Sequence, residues 1–248
     1  GMVATDGKLY MSFTEQSVIG RVDIATGKLE KEFSVSSPGR MAEAPDGSVL
    51  VVSADKVLRW DLQDGSSEAV ITGLDEPKGV AAGPDGRIYV ATWGATHQVH
   101  VLSPNGDRIR SIGKKGGRAS HGPWEATALL RPVGLTVGPK GRLWVGERVD
   151  KPKRWSVWTP DGKLVRELFG PSHYGADGGA LKPDDPYVGV GQMCEWRVDP
   201  ETGRAGCLGK IADDGMVNVH FPLERTHSSR YVRADGRWYL VQGLHRYF

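Results

Sequence analysis

The sequence predicts an all-β protein, a six-bladed β-propeller of four-stranded antiparallel blades. Three observations point there. Two interleaved series of Asp-Gly-type turns recur along the 248 residues, with units roughly 40 to 55 residues apart, a spacing typical of repeat architectures. The segments after the first turn of each unit are nearly continuous apolar runs, as strands covered on both faces should be. No long amphipathic helical pattern occurs in the chain, which argues against an α/β fold.

The first turn series is Pro45-Asp46-Gly47, Pro84-Asp85-Gly86, Pro139-Lys140-Gly141 and Pro183-Asp184-Asp185, with Asp6-Gly7 and Asp235-Gly236 as its degenerate ends. The second is Thr26-Gly27, Asp64-Gly65, Asn105-Gly106, Asp161-Gly162 and Thr202-Gly203. Their glycines supply the positive φ of tight hairpins. The third unit is the clearest: an inner strand at 79–82, a second at 87–92, a third at 98–102 and a fourth at 107–112. Second strands recur at 8–13, 48–52, 142–145, 187–190 and 237–241. A single sandwich would favour apolar–polar alternation there, whereas blades packed face to face around an axis bury both faces.

The expected blades are 3–33, 34–74, 75–113, 125–170, 171–211 and 217–248, within a single domain over 1–248. The ends are imperfect. The first unit lacks an inner strand, and the last stops at 244–248, inside or just before its third strand. Closure would leave a short blade, so the parent protein is expected to be a larger polypeptide that continues beyond Phe248.

Composition sets wider limits. The 34 glycines and 15 prolines sit at periodic turns, so they do not signal disorder. A net charge of +2 is too small to imply a nucleic-acid or membrane partner by itself. No apolar stretch is long enough to span a bilayer. No signal sequence is present in the chain, and an extracellular or periplasmic setting is expected over a cytoplasmic one. Cys194 and Cys207 flank the turn ending at Gly203. A disulfide and two buried thiols are both open, since a one-residue bulge at Gly203 would turn the two side chains to opposite faces.

At this point the units resemble a known family. The run from Pro77 to Thr92, continuing to Ser103-Pro104-Asn105-Gly106, is similar to an NHL repeat, and so is the run from Leu130-Arg131-Pro132 to Pro160-Asp161-Gly162. The resemblance implies an NHL-like six-bladed propeller of the kind also found in gluconolactonases and lactonases. Propellers of that kind include hydrolases, lyases, RNA binders and protein-binding modules, so no single function follows. Peptide-amidating lyases of this kind place zinc-binding histidines in a Pro-His-Ser motif at the start of inner strands. Here the matching positions are Lys78-Gly79 and Val133-Gly134, and the acidic start motif of the gluconolactonases is absent too.

In a four-stranded blade the first-to-second and third-to-fourth turns share one face, and all the tight turns fall in that set. The long segments 93–97, 146–154, 114–129, 170–181 and 212–229 fall on the opposite face, where binding residues should concentrate. The candidate ligand-binding residues there are Trp93, His97, Trp124, Glu147, Lys153, Arg154 and Arg225. Trp stacks on sugars, and Arg pairs with acidic groups. The expected function is therefore binding of an anionic or carbohydrate-like ligand, small or polymeric.

The alternative is a lyase or hydrolase at the axis of that face. Its base would be His173, Tyr174, His220 or His227, with Arg148 or Arg154 neutralising a substrate carboxylate. A divalent metal held by His173, His220 and His227 with Glu147 or Glu195 is a secondary possibility. A third option is a protein–protein scaffold. Lys114, Lys115, Arg118, Lys151, Lys153 and Arg154 would form a local basic patch, and RNA is its less favoured partner. His100 lies within a strand, and Trp60, Trp144, Trp158, Trp196 and Trp238 read as packing between blades.

Overall fold

Between successive turns run the strands that the apolar patterns require. The computed structural model describes residues 1–119, 122–138, 140–148, 152–170, 179–191, 194–199, 201–210, 229–234 and 236–242. The first blade contains β1 (Met2–Thr5), β2 (Lys8–Phe13), β3 (Val18–Asp23) and β4 (Leu29–Ser34). The second contains β5 (Pro38–Glu43), β6 (Val49–Ser53), β7 (Lys56–Trp60) and β8 (Ser67–Ile71). The third contains β9 (Pro77–Ala82), β10 (Ile88–Thr92), β11 (Val99–Leu102) and β12 (Arg108–Ile112). After a two-residue strand β13 (Gly122–Pro123), the fourth blade contains β14 (Pro132–Val137), β15 (Leu143–Glu147), β16 (Lys153–Trp158) and β17 (Leu164–Gly170). The fifth contains β18 (Gly179–Lys182), β19 (Asp185–Gly191), β20 (Cys194–Asp199) and β21 (Arg204–Lys210), and β22 (Ser229–Ala234) pairs with β23 (Arg237–Gln242) in the sixth.

Apart from β13, strands pair antiparallel in chain order within each sheet, and the described residues contain no helix. The chain is an all-β protein of the propeller class. It divides into two compact units. One comprises Gly1–Gly117, Ala126–Arg148 and Trp155–Leu168, and the other Arg118–Glu125, Val149–Arg154 and Phe169–Phe248.

In the first unit the cores lie between successive blades. Alternate residues of one strand feed two different cores. Val49 and Val51 of β6 join Val3, Tyr10, Ile19 and Phe33 of the first blade, whereas Leu50 and Val52 join Val80, Ile88 and Val90 of the third. Tyr89 and Ala91 of β10 then face Leu143, Val145 and Trp158 of the fourth. Burying a large aliphatic side chain stabilises by roughly 1.5–3 kcal/mol, and each second strand does so on both sides. Trp60 closes the first interface. It is fully buried, edge-on to Tyr10 at 5.6 Å and Phe33 at 5.1 Å, and its indole N–H donates to the Gly65 carbonyl at 3.1 Å.

The tight turns take part in this packing. In the second, third and fourth blades the glycine of the third-to-fourth turn abuts the outer strand of the preceding blade: Gly65 against Phe33, Gly106 against Val70, and Gly162 against Ile112. A Cβ at Gly106 would overlap the Val70 carbonyl oxygen, so the residue is required there for close approach as well as for its φ of +93°. Arginines add cross-blade bonds. Arg59 donates to the Pro104 carbonyl at 2.8 Å, and Arg110 to the Asp161 carbonyl at 2.7 Å. An Asp at the end of a third strand organises several of these turns. Asp199 accepts from the Glu201 and Thr202 amides and the Thr202 hydroxyl, and the Thr202 bonds hold its carboxyl below the usual carboxylate range.

Three expectations need correction. The first unit does have an inner strand, β1, paired with β2 through the Asp6-Gly7 turn. It is short and followed at once by its turn, which leaves little apolar pattern to read. The segment 146–154 is not all loop, because β15 runs through Glu147 and β16 begins at Lys153. Gly146 looks like a loop residue, yet it pairs with Trp155, whose ring lies where a Gly146 Cβ would be, at 3.0 Å.

Within 114–129, Gly122 and Pro123 form a fifth strand on the fifth blade, paired with Lys210 and Gly209 of β21. Two residues are too few to show a period, and Pro123 is tolerated because β13 is an edge. Of the two states left open for Cys194 and Cys207, the structure has two buried thiols and no disulfide between them. The register shift lies between Glu195 and Trp196 instead of at Gly203, so Cys194 faces Lys210 and Cys207 faces Trp196.

Candidate functional site

Three inner strands of the first unit, β5, β9 and β14, begin in a shared way. Ser37, Glu76 and Arg131 each have a positive φ, of 44°, 48° and 51°, and each precedes the proline that opens β5, β9 or β14. The left-handed region is costly for these residue types. Directly after each proline the register slips, at 39–40 in β5, Lys78 in β9 and Val133 in β14. Bulges of this kind re-aim side chains at the end of a strand.

Trp93 follows β10, and its surroundings hold it firmly. Its amide donates to the Glu76 carbonyl at 3.1 Å, and its carbonyl accepts from the Thr96 and His97 amides at 3.0 Å. The Asp75 carboxylate accepts the Ala95 amide at 2.7 Å and occupies the space where a Gly94 Cβ would lie. The indole N–H reaches across to the Pro132 carbonyl at 2.8 Å. Arg148 occupies the equivalent place in the fourth blade, one residue past β15, and its amide donates to the Arg131 carbonyl at 2.9 Å.

Three cations surround this one half-buried indole. Lys78 Nζ lies 5.0 Å from the ring centroid, and the guanidinium carbons of Arg131 and Arg148 each lie 5.9 Å away. Attraction to the ring is worth about 0.5–1 kcal/mol for each exposed cation, which offsets part of their mutual repulsion. Lys78 is also paired with Glu76 at 3.2 Å. Neither Arg131 nor Arg148, both exposed, has a carboxylate within ion-pair distance among the described residues. His97 Nδ1 accepts the Arg131 amide at 3.3 Å, which leaves the proton of the neutral imidazole on Nε2. The arrangement is a rigid aromatic post with two open guanidinium forks, a geometry suited to an oxyanion.

A chain of hydrogen bonds through the buried Thr92 and His100 supports the Trp93 loop. Arg108 has only donors, so its 2.8 Å contact makes His100 Nδ1 an acceptor and puts the imidazole proton on Nε2. Nε2 then donates to Thr92 Oγ1 at 3.2 Å, the Thr92 and Thr96 hydroxyls are hydrogen-bonded to each other at 2.7 Å, and Thr96 Oγ1 lies 3.4 Å from the Trp93 carbonyl as its donor. Burial, with the Arg108 charge as a second cause, pushes the His100 pKa down to about 4. His100 is therefore a neutral, satisfied core histidine.

Beside the Trp93 cluster lies a cleft of 550 Å³ at the start of the inner strands, lined by Thr14, Arg40, Met41, Val80, Val133 and Leu135 among others. Val133 directly follows the Pro132 that receives the Trp93 bond. At the opposite ends of β5, β9 and β14, a second cleft of 480 Å³ has Glu43 as its charged residue.

In the second unit, Trp124 lies between Arg118 at 4.4 Å and Arg154 at 5.4 Å, edge-on to Phe169, which in turn meets Trp196. Arg154 is 1% exposed and Arg118 is 7% exposed. Both are committed to this stack, so the basic patch read from the sequence presents fewer open cations than its composition suggests.

Of the residues singled out by sequence, Trp93, His97 and Arg148 come together in the first unit, with Glu147 adjoining at the end of β15. Trp124, Lys153 and Arg154 belong to the second unit. His173, Tyr174, His220, Arg225 and His227 lie outside the described residues. Among the described residues no three His, Cys, Asp or Glu side chains gather as a metal site, and no helix is long and apolar enough to cross a membrane. Sequence reasoning missed Lys78 and Arg131. Each is adjacent to an inner-strand proline, and that shared position was the signal available.

No family model matches the chain, and no curated protein matches it in sequence. Solved structures do resemble it. Hydrazine synthase of Kuenenia stuttgartiensis aligns with a TM-score of 0.52 and 20% identity, over 79% of this chain and 54% of that one, so the chain spans about half of that neighbour. A chain of the nidogen/laminin complex aligns with a TM-score of 0.52 and 15% identity, over 95% of this chain and 85% of that one. Virginiamycin B lyase from Staphylococcus aureus aligns with a TM-score of 0.51 and 16% identity, over 97% and 75%. At such identities the likeness is one of fold, and that fold is the β-propeller.

Proposed function

We propose that this propeller is a ligand-binding module that takes an anionic group on its long-loop face, at Trp93, Lys78, Arg131 and Arg148. The observation that carries the reading is the convergence of three cations on one immobilised indole, with the Arg131 and Arg148 guanidiniums open to solvent. The NHL-like resemblance of the third and fourth units belongs to the same reading. The neighbours do not select among functions, since one is a lyase and another belongs to a protein complex. A lyase or hydrolase reading rests on His173, Tyr174, His220 and His227, and no observation favours it over binding.

The test is calorimetric titration of the chain with sulfated and neutral dextran and with small carboxylic acids, at low and high salt. At least one anion should bind in a salt-sensitive manner, and the Arg131→Ala/Arg148→Ala double variant should weaken it by about tenfold or more. Equal binding by the double variant, or equal binding of neutral dextran, would overturn the proposal.

A further inference from the structure

Positions equivalent to Trp93 and Arg148, one residue beyond the second strand, are Thr14 in the first blade and Ala54 in the second. The position equivalent to Arg131 is Ser37 in the second blade. All three are uncharged. Among the described residues at these positions, the open guanidiniums are therefore those of Arg131 and Arg148 at the fourth blade, with Arg40 on the cleft wall. A polyanion would need cations spaced along the rim, whereas a local cluster needs only one charged group.

The adjoining cleft describes the rest of the ligand. At 550 Å³ it is in the size range of sites that enclose small molecules, about 300–1,000 Å³. Its wall is as polar as it is apolar: the exposed Met2 and the half-buried Val133 and Leu135 supply apolar side chains, Thr14 and Arg40 supply polar ones, and Met41 and Val80 have their side chains buried in the cores between blades. The strands β5, β9 and β14 are also edge strands, hydrogen-bonded within their sheets on one side only. Their second edges offer backbone N–H and C=O groups. The wall thus combines apolar and polar side chains with amide hydrogen-bonding groups.

We infer that the ligand is a small free acid with an amide-bearing apolar body, of the size and chemistry of a short peptide with a free carboxylate. The carboxylate is held at the rim by Arg131 and Arg148, and the body enters the cleft past Val133. The inference rests on the anion-binding reading above and narrows it from any anion to one enclosed acid.

Titration of the full chain with N-acetyl-trivaline, its C-terminal amide, acetate and dextran sulfate separates the possibilities. The peptide acid should bind at least about tenfold more tightly than either the amide or acetate, and Arg148→Ala or Arg131→Ala should remove about tenfold of that affinity. Circular dichroism confirms that these exposed-site variants fold. Acetate binding as tightly as the peptide, or arginine-dependent binding of dextran sulfate alone, overturns the enclosed-acid inference while leaving anion binding intact. Amide binding equal to acid binding, or no anion whose affinity depends on the arginines, overturns both.

Discussion

Thr92 Oγ1 lies 3.2 Å from His100 Nε2, the middle link of a chain that starts at Arg108 and ends at the Trp93 carbonyl. Stability should depend on pH in a defined direction because His100 stays neutral in the folded chain. Its pKa falls from 6.5 to about 4, so between those values the unfolded chain binds a proton that the folded chain does not. The contribution is complete above pH 6.5 and is lost as pH drops towards 4, on the order of 2 kcal/mol. Urea denaturation at pH 7.5 and 4.5 should show a smaller loss for His100→Gln than for the unaltered chain. An identical loss in both would remove His100 from the account.

Gly47 and Gly106 separate backbone conformation from packing. Both have positive φ, +81° and +93°, but a Cβ at Gly47 meets nothing within 4 Å, whereas one at Gly106 overlaps the Val70 carbonyl. Gly47→Ala should cost about 1 kcal/mol from strain alone. Gly106→Ala should cost about 2 kcal/mol more, since backbone must shift to admit it. Equal shifts in the denaturation midpoint would mean that the turn does not bear on the preceding blade.

Substitution of Trp93 should distinguish its edge from its ring. Trp93→Phe keeps an aromatic face for the cations but loses the bond to Pro132, a cost of about 1 kcal/mol. Trp93→Ala removes both and should cost about 2–3 kcal/mol in thermal or urea unfolding. A Phe variant as unstable as the Ala variant would mean that the indole N–H, and not the ring, dominates.

The two thiols should resist modification. Cys194 is fully buried and Cys207 nearly so, with no bridge between them. Without reductant, iodoacetamide should label the native chain slowly and add two carbamidomethyl groups once it is denatured. Denatured chain that accepts no label until reductant is added would establish a disulfide instead.

The blades were legible because one strand had to serve two cores. Val49, Leu50, Val51 and Val52 form an unbroken apolar run for that reason, and a tight Asp- or Gly-bearing turn precedes each such run. The site was less legible. Trp93 and Arg148 stood out as an aromatic and a cation just beyond apolar strands. Lys78 and Arg131 did not, because their orientation depends on a bulge and on a left-handed residue before proline, neither of which a period-two pattern records. Arg154 misled for the opposite reason. Its charge suggested an exposed loop, yet its guanidinium lies buried against Trp124.

The contacts of Gly65, Gly106 and Gly162 with the blade before them have a consequence for redesign. Lengthening any of these turns by even one residue would drive a wedge between neighbours and loosen the whole stack. The bends at Thr14 and Ala54, at the other end of those sheets, place no glycine against a neighbour and are held instead by hydrogen bonds, from the Thr14 hydroxyl to the Pro38 carbonyl at 2.6 Å and from the Leu74 amide to the Asp55 carbonyl at 2.8 Å. New sequence grafted there that keeps those bonds should widen the repertoire of the cationic rim without disturbing how one blade finds the next.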